Sequence, residues 1–136
     1  GELPPLDRIR RSIQAVFENV SLDDRRRKVF DTAMFKMEYV GELAGVRDRH
    51  IEAAQICSVK FTHDLSAAAK ELNVTLPMPP ETAAQGLHSL FVGLIHSWVL
   101  NAGSFPLVHT GCMSVDAYLS GIGFQSHLSP NTPNPG

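Results

Sequence analysis

The stretch LHSLFVGLIHSWVL, residues 87–100, decides the fold. It contains no acidic or basic charge. At helical spacing its apolar side chains sweep roughly 200° of arc, from Leu90 through Leu94, Leu87, Trp98, Phe91 and Ile95 to Val92. A helix that is apolar around so much of its girth must be covered on more than one side. The rest of the wheel is small or weakly polar: Thr82, Gly86, Ser89, Gly93 and Ser97. Small residues let another helix approach closely. A short chain has difficulty covering such a helix alone, so a second copy is the first expectation.

Charge sharpens that expectation. Every Lys and Arg lies at or before Lys70, and the remainder carries only Glu71, Glu81 and Asp116. The front half holds clusters such as Arg25-Arg26-Arg27-Lys28, with Asp23, Asp24 and Asp31 among them. The 136 residues suffice for one domain with a core but hardly for two. A net charge of −2 gives no electrostatic reason to expect nucleic-acid binding by this chain. Two cysteines, Cys57 and Cys112, make no disulfide framework and sit at apolar helical positions, so reduced thiols and a cytoplasmic location are expected. No apolar run reaches membrane-spanning length, and the N-terminus has no signal-peptide pattern. The chain starts with Gly1, which suggests processing, a tag scar or a fragment.

Working outward, the pattern predicts five helices and no strands. The first follows Pro4-Pro5, with Leu6, Ile9, Ile13, Val16, Phe17 and Val20 on one face and Arg8, Arg10 and Arg11 on the other. Ser21 and Asp24 read as the capping signal of a second helix, which buries Val29, Phe30, Ala33, Met34 and Met37 and ends near Gly41. The third carries Val46, His50, Ala54, Cys57, Phe61, Leu65, Ala68 and Leu72 in steps of four and three, until Asn73 to Pro80 breaks it. The fourth runs from about Glu81 to Ala102, with Gly103 as its stop. Ser104 and Pro106 begin a fifth that carries Leu107, Val108, Cys112, Val115, Tyr118, Leu119 and Ile122. Residues 125–136, rich in Pro, Asn and Ser, read as a disordered tail.

Little in the chain suggests catalysis. His109 and Cys112 have the spacing of two metal ligands, but two ligands do not make a site, so no metal is expected. No catalytic serine turn, phosphate-cradling glycine loop or helical zinc motif is present. A Cys–His nucleophile pair needs only proximity in space, which leaves a small α-helical enzyme as an alternative. His88 falls inside the apolar arc of the fourth helix. It reads either as a hydrogen-bonded core imidazole or as a polar anchor in an apolar pocket. The set Phe17, Phe30, Met34, Met37, Phe61 and Phe91 reads as core or as the wall of a cavity for loosely specified apolar ligands.

Two segments go beyond generic helix. One is Arg25-Arg26-Arg27 followed by Met34-Phe35-Lys36-Met37-Glu38-Tyr39-Val40-Gly41-Glu42-Leu43. The other is Gly93-Leu94-Ile95-His96-Ser97-Trp98-Val99-Leu100 with Ser104-Phe105. Over roughly Pro4 to Ile122 the chain resembles the C-terminal region of TetR-family transcriptional repressors, in the multidrug-efflux (AcrR- and TtgR-like) branch. The resemblance implies an all-α ligand-binding and dimerisation domain over residues 1–124, forming a homodimer through a four-helix bundle. It implies that DNA is read only by an N-terminal helix-turn-helix missing here, together with most of the helix joining it to the pocket. A hydrophobic or aromatic drug would shift the dimer out of its DNA-binding spacing. No cofactor and no membrane partner are implied.

Matching helices carry the ligand pocket to Ile13, Val16, Phe17, Phe30, Met34, Phe61, His88, Phe91 and Ile95. The dimer interface falls on Leu90, Leu94, Trp98, Val108, Cys112, Val115 and Leu119. Family members often place Asn or His where Phe30 and Met34 stand, which implies a more apolar ligand range. The fifth helix departs from the family by its near absence of charge. The other alternative is a helical homodimerisation module without a ligand.

Overall fold

The computed structural model describes residues 3–22, 44–101 and 103–128, with side chains in the second described helix given from residue 55. The described residues are helical, with no strand among them. Four α-helices occur among the described residues: α1 (Pro5–Leu22), α2 (Ala44–Leu72), α3 (Pro80–Leu100) and α4 (Leu107–Leu119). They correspond to the expected first, third, fourth and fifth helices. The expected second helix, with Phe30, Met34 and Met37, lies outside the described residues.

The helices form a ring in which α1 packs on α2 and α4, and α3 packs on the same two. Each turns its apolar stripe to the centre. Leu6, Ile9, Ile13, Phe17 and Val20 are buried from α1, Phe61, Leu65 and Ala68 from α2, and Ala83, Ala84, Leu87, Phe91, Ile95 and Trp98 from α3. From α4 come Leu107, Cys112, Val115 and Leu119. Burial of this apolar surface, at about 25 cal/mol per Å², is the main drive for the fold.

Among the described residues one charged side chain is also buried. Arg10 was expected on the outer face, yet it is only 7% exposed. Its spacing from Leu6 and Ile13 places it on the inward side. There its Nε and Nη2 donate to Oδ1 and Oδ2 of Asp116 on α4, both at 2.9 Å. Asp7 lies 3.8 Å away on the same helix. The Asp116 hydrogen bond, more than burial opposes it, raises the guanidinium pKa above its ordinary value. This fork-to-fork pair pins α1 to α4.

Two close approaches explain two glycines. A Cβ on Gly111 of α4 would overlap the ring of Phe17, so glycine lets α1 and α4 touch. A Cβ on Gly86 would lie 2.5 Å from the Tyr118 hydroxyl oxygen. That hydroxyl passes α3 at this point and donates to the Ala83 carbonyl at 2.7 Å.

The helix ends differ from the sequence reading in detail. α1 continues through Leu22, so Ser21 sits in its last turn and donates to the Glu18 carbonyl at 2.9 Å instead of opening a new helix. α2 ends with Asn73 at a φ of 56°, and the Val74 amide returns to the Ala69 carbonyl at 2.9 Å, a Schellman closure. α3 stops at Leu100, before the expected Ala102. Gly103, at a φ of 85°, then redirects the chain. The expected disordered tail is ordered at its start: a π-helical turn, Ser120–Phe124, leads into a 3₁₀ turn, Gln125–His127. Phe124 is fully buried and Leu128 packs on the core, so this end is held by burial.

Candidate functional site

The packing of α1, α2 and α3 leaves a cavity of about 660 Å³. Its apolar lining comes from Ile13 and Val16 of α1, Phe61 of α2 and Phe91 of α3, with Leu3 at one edge. Phe91 organises this floor. Its ring meets Phe17 edge-on at 6.4 Å, Phe61 at 5.8 Å and the imidazole of His88 at 5.2 Å between centroids. Edge-to-face packing suits the aromatic quadrupoles and fixes the ring plane. These rings sit together because Phe17, Phe61 and Phe91 each occupy the inward stripe of a different helix.

The mouth is polar. Arg8, Arg11 and Ser12 reach it from α1, and Cys57, Lys60 and Asp64 from α2. Arg8 bridges the two helices, donating to Asp64 at 2.8 Å and to the Leu3 carbonyl at 3.0 Å. The sequence reading missed this rim because it assigned Arg8 and Arg11 to a solvated face. Arg8, Ser12 and Val16 recur in steps of four with Arg11 beside them, and that stripe was the available signal.

The expected ligand residues thus divide. Ile13, Val16, Phe61 and Phe91 come together around the cavity. Phe17 lies behind it, fully buried against Phe91, and Ile95 is buried one turn further along α3. His88 is half-buried beside Phe91. Phe30 and Met34 lie outside the described residues.

The expected interface residues divide as well. Trp98, Cys112, Val115 and Leu119 are covered within this single chain, with 7%, 4%, 2% and 0% exposure. They belong to the core of this one chain and offer a second copy little surface. Leu90, Leu94 and Val108 remain half-buried. The outer faces of α3 and α4 instead carry exposed Gly93, Ser97 and Leu100, and Met113 and Ala117.

A second hollow of about 530 Å³ lies where α1 ends and α4 begins, beside Trp98, Phe105 and His109. The Nδ1 of His109 is buried there without a hydrogen-bond partner among the described residues. Burial, reinforced by Asp116 and Glu18, raises the Cys112 thiol above its ordinary pKa. That is the reverse of an activated nucleophile. Among the described residues no group of three His, Cys, Asp or Glu side chains could hold a metal ion. No described helix is long and apolar enough to cross a membrane.

Residues 4–124 match the family described as MAATS-type transcriptional repressor, C-terminal region. The chain is 29% identical over 118 residues to the HTH-type transcriptional repressor BepR of Brucella suis, covering 87% of this chain and 56% of that protein. It is 26% identical over 107 residues to the HTH-type transcriptional regulator TtgR of Pseudomonas putida, covering 79% and 51%. The probable HTH-type transcriptional regulator ArpR of Pseudomonas putida is similar at 27% over the same length and coverage. The chain spans about half the length of these curated relatives. No solved structure matches it. With nearly its whole length inside the family match, the chain belongs to the TetR-type transcriptional repressors, as a C-terminal region of the MAATS class.

Proposed function

We propose that this chain is the effector-sensing and dimerisation region of a repressor controlling a multidrug efflux pump, and that its effector is a small hydrophobic or aromatic molecule. The observation that carries this reading is the cavity of about 660 Å³ floored by Phe61 and Phe91. An apolar hollow with a few placed polar groups is the usual form of a small-molecule site. In this reading DNA is bound by a separate N-terminal helix-turn-helix.

The helices that line the cavity also support a route for the signal. Ile13 and Val16 stand on α1, which Arg10 pins to Asp116 of α4. Phe91 stands on α3, whose exposed Gly93 lies two residues further on. A guest pressing on α1 and Phe91 therefore bears on both α3 and α4. The outer faces of these two helices are free of charge, because Glu81 sits in the first turn of α3 and Asp116 faces Arg10. Charge depletion is the signature of an interface core, and a second copy there would form a four-helix bundle. A stable pairing buries about 1,200–2,000 Å² in total. The ligand then acts by favouring one dimer geometry over another, and only by its difference in affinity for the two.

The test is thermal unfolding of the chain against a panel of hydrophobic drugs. Saturable stabilisation supports sensing, and a ligand at about 100 times its Kd adds about 2.7 kcal/mol. No shift with any aromatic drug, from a protein that stays dimeric, favours a dimerisation module without a ligand.

A further inference from the structure

We infer that the effector of this cavity is an amphipathic anion: an aromatic or apolar body that carries a carboxylate or an equally acidic group. The inference rests on the cavity being the effector site, and it goes further by assigning the charge of the guest.

Three basic side chains line the cavity, Arg8, Arg11 and Lys60, against one described carboxylate, Asp64. Arg8 already engages Asp64 at 2.8 Å, with the carboxylate side chain only 15% exposed. Among the described residues, Arg11 and Lys60 have no ion-pair partner. They come from different helices, α1 and α2, and share the rim of one hollow whose floor is Ile13, Phe61 and Phe91. Scattered surface cations are ordinarily just solvated. Here an apolar floor lies beneath them, and among the described residues the only carboxylate in the lining is taken.

A guest with its ring over Phe91 and its acid group at the rim would satisfy both parts. A cationic guest would meet like charge at the mouth, with no free carboxylate among the described lining residues to receive it. A neutral guest would gain only the floor. Hydrogen bonds to a charged acceptor are roughly twice as strong as neutral ones. Because the rim is open to water, the gain should weaken as salt rises.

The experiment uses the full chain and three probes of one shape: 2-naphthylacetate, its methyl ester and 2-naphthylethylamine. Calorimetry measures affinity. Location is read by alkylation of Cys57, which lines the same cavity, with iodoacetamide and peptide mass spectrometry. Expected is saturable protection of Cys57 by the carboxylate, with an affinity about tenfold above the ester and further above the amine, the scale of one or two charge-assisted contacts. The double variant Arg11→Gln/Lys60→Gln, at two exposed positions, should remove that gap by lowering the carboxylate's affinity to that of the ester. Equal affinity of acid and ester, or a gap that survives the double variant, overturns the anion assignment and leaves the cavity reading intact. No protection of Cys57 by any probe overturns both.

Discussion

The Arg10–Asp116 pair offers the sharpest quantitative prediction. It joins α1, which carries one wall of the cavity, to α4. Both hydrogen bonds are 2.9 Å long, and the two side chains are 6% and 23% exposed. Removing one member of a fully buried ion pair costs about 3–5 kcal/mol, mostly because the other charge is left in a poor solvent. The two truncations should therefore differ. Arg10→Met leaves the Asp116 carboxylate with nearly a quarter of its surface in water, so a cost of about 2 kcal/mol is expected. Asp116→Ala leaves a far more buried guanidinium with weaker neighbours, Asp7 at 3.8 Å among them, and should cost about 3–4 kcal/mol. Arg10→Met/Asp116→Leu should cost less than the two single changes together, by at least about 1 kcal/mol. Urea unfolding of the four proteins, with protein concentration held constant, measures all of this. Single variants within about 0.5 kcal/mol of the parent, or costs that simply add, would refute the claim that the pair pins α1 to α4.

The other predictions follow from the packing and the titrating groups. Gly111→Ala should lower stability by about 1–3 kcal/mol, because its methyl group meets the Phe17 ring; calorimetric unfolding is the check. Gly93→Ala meets nothing within 4 Å, so it should stabilise the isolated chain by about 0.5–1 kcal/mol. If a second copy seats on that face, the same change weakens self-association in sedimentation equilibrium. Tyr118→Phe should cost about 0.5–1.5 kcal/mol through the lost bond to Ala83. Burial raises the Tyr118 phenol above its ordinary value of 10.0. The folded state therefore holds that proton more tightly than the unfolded chain does. This contribution is full below the unfolded value and disappears as pH rises through the folded one. Stability measured across the alkaline range should fall more steeply in the parent than in Tyr118→Phe.

Much of the fold was readable from spacing. The stripes Leu6–Ile9–Ile13–Phe17 and Phe61–Leu65–Ala68 announce helices and give their buried faces directly, because helical periodicity is a local property. Position 10 shows where such reading misleads. Its spacing pointed inward and its charge outward, and the partner that resolves the conflict lies 106 residues further along the chain. Trp98, Cys112, Val115 and Leu119 were legible as apolar, but the sequence could not say which neighbour covers them. The core of the same chain does so, which leaves the outer faces to Gly93, Ser97, Leu100, Met113 and Ala117. The cavity floor was legible at Ile13, Val16, Phe61 and Phe91, since inward aromatics of successive helices converge. The rim was not, because only the packing of α1 on α2 brings Arg8 to Asp64 and sets Arg11 and Lys60 around one opening.

The central claim is that the hollow between α1, α2 and α3 takes up a small molecule. Val16 lines it while remaining 38% exposed, so Val16→Trp can fill the hollow without invading the core. The direct measurement is calorimetric titration of parent and Val16→Trp with 2-naphthylacetate, beside a thermal melt of each. The account predicts one saturable site per chain in the parent and at least a tenfold loss of affinity in a variant that melts like it. Unchanged affinity in the well-folded variant would place any binding elsewhere and contradict the account.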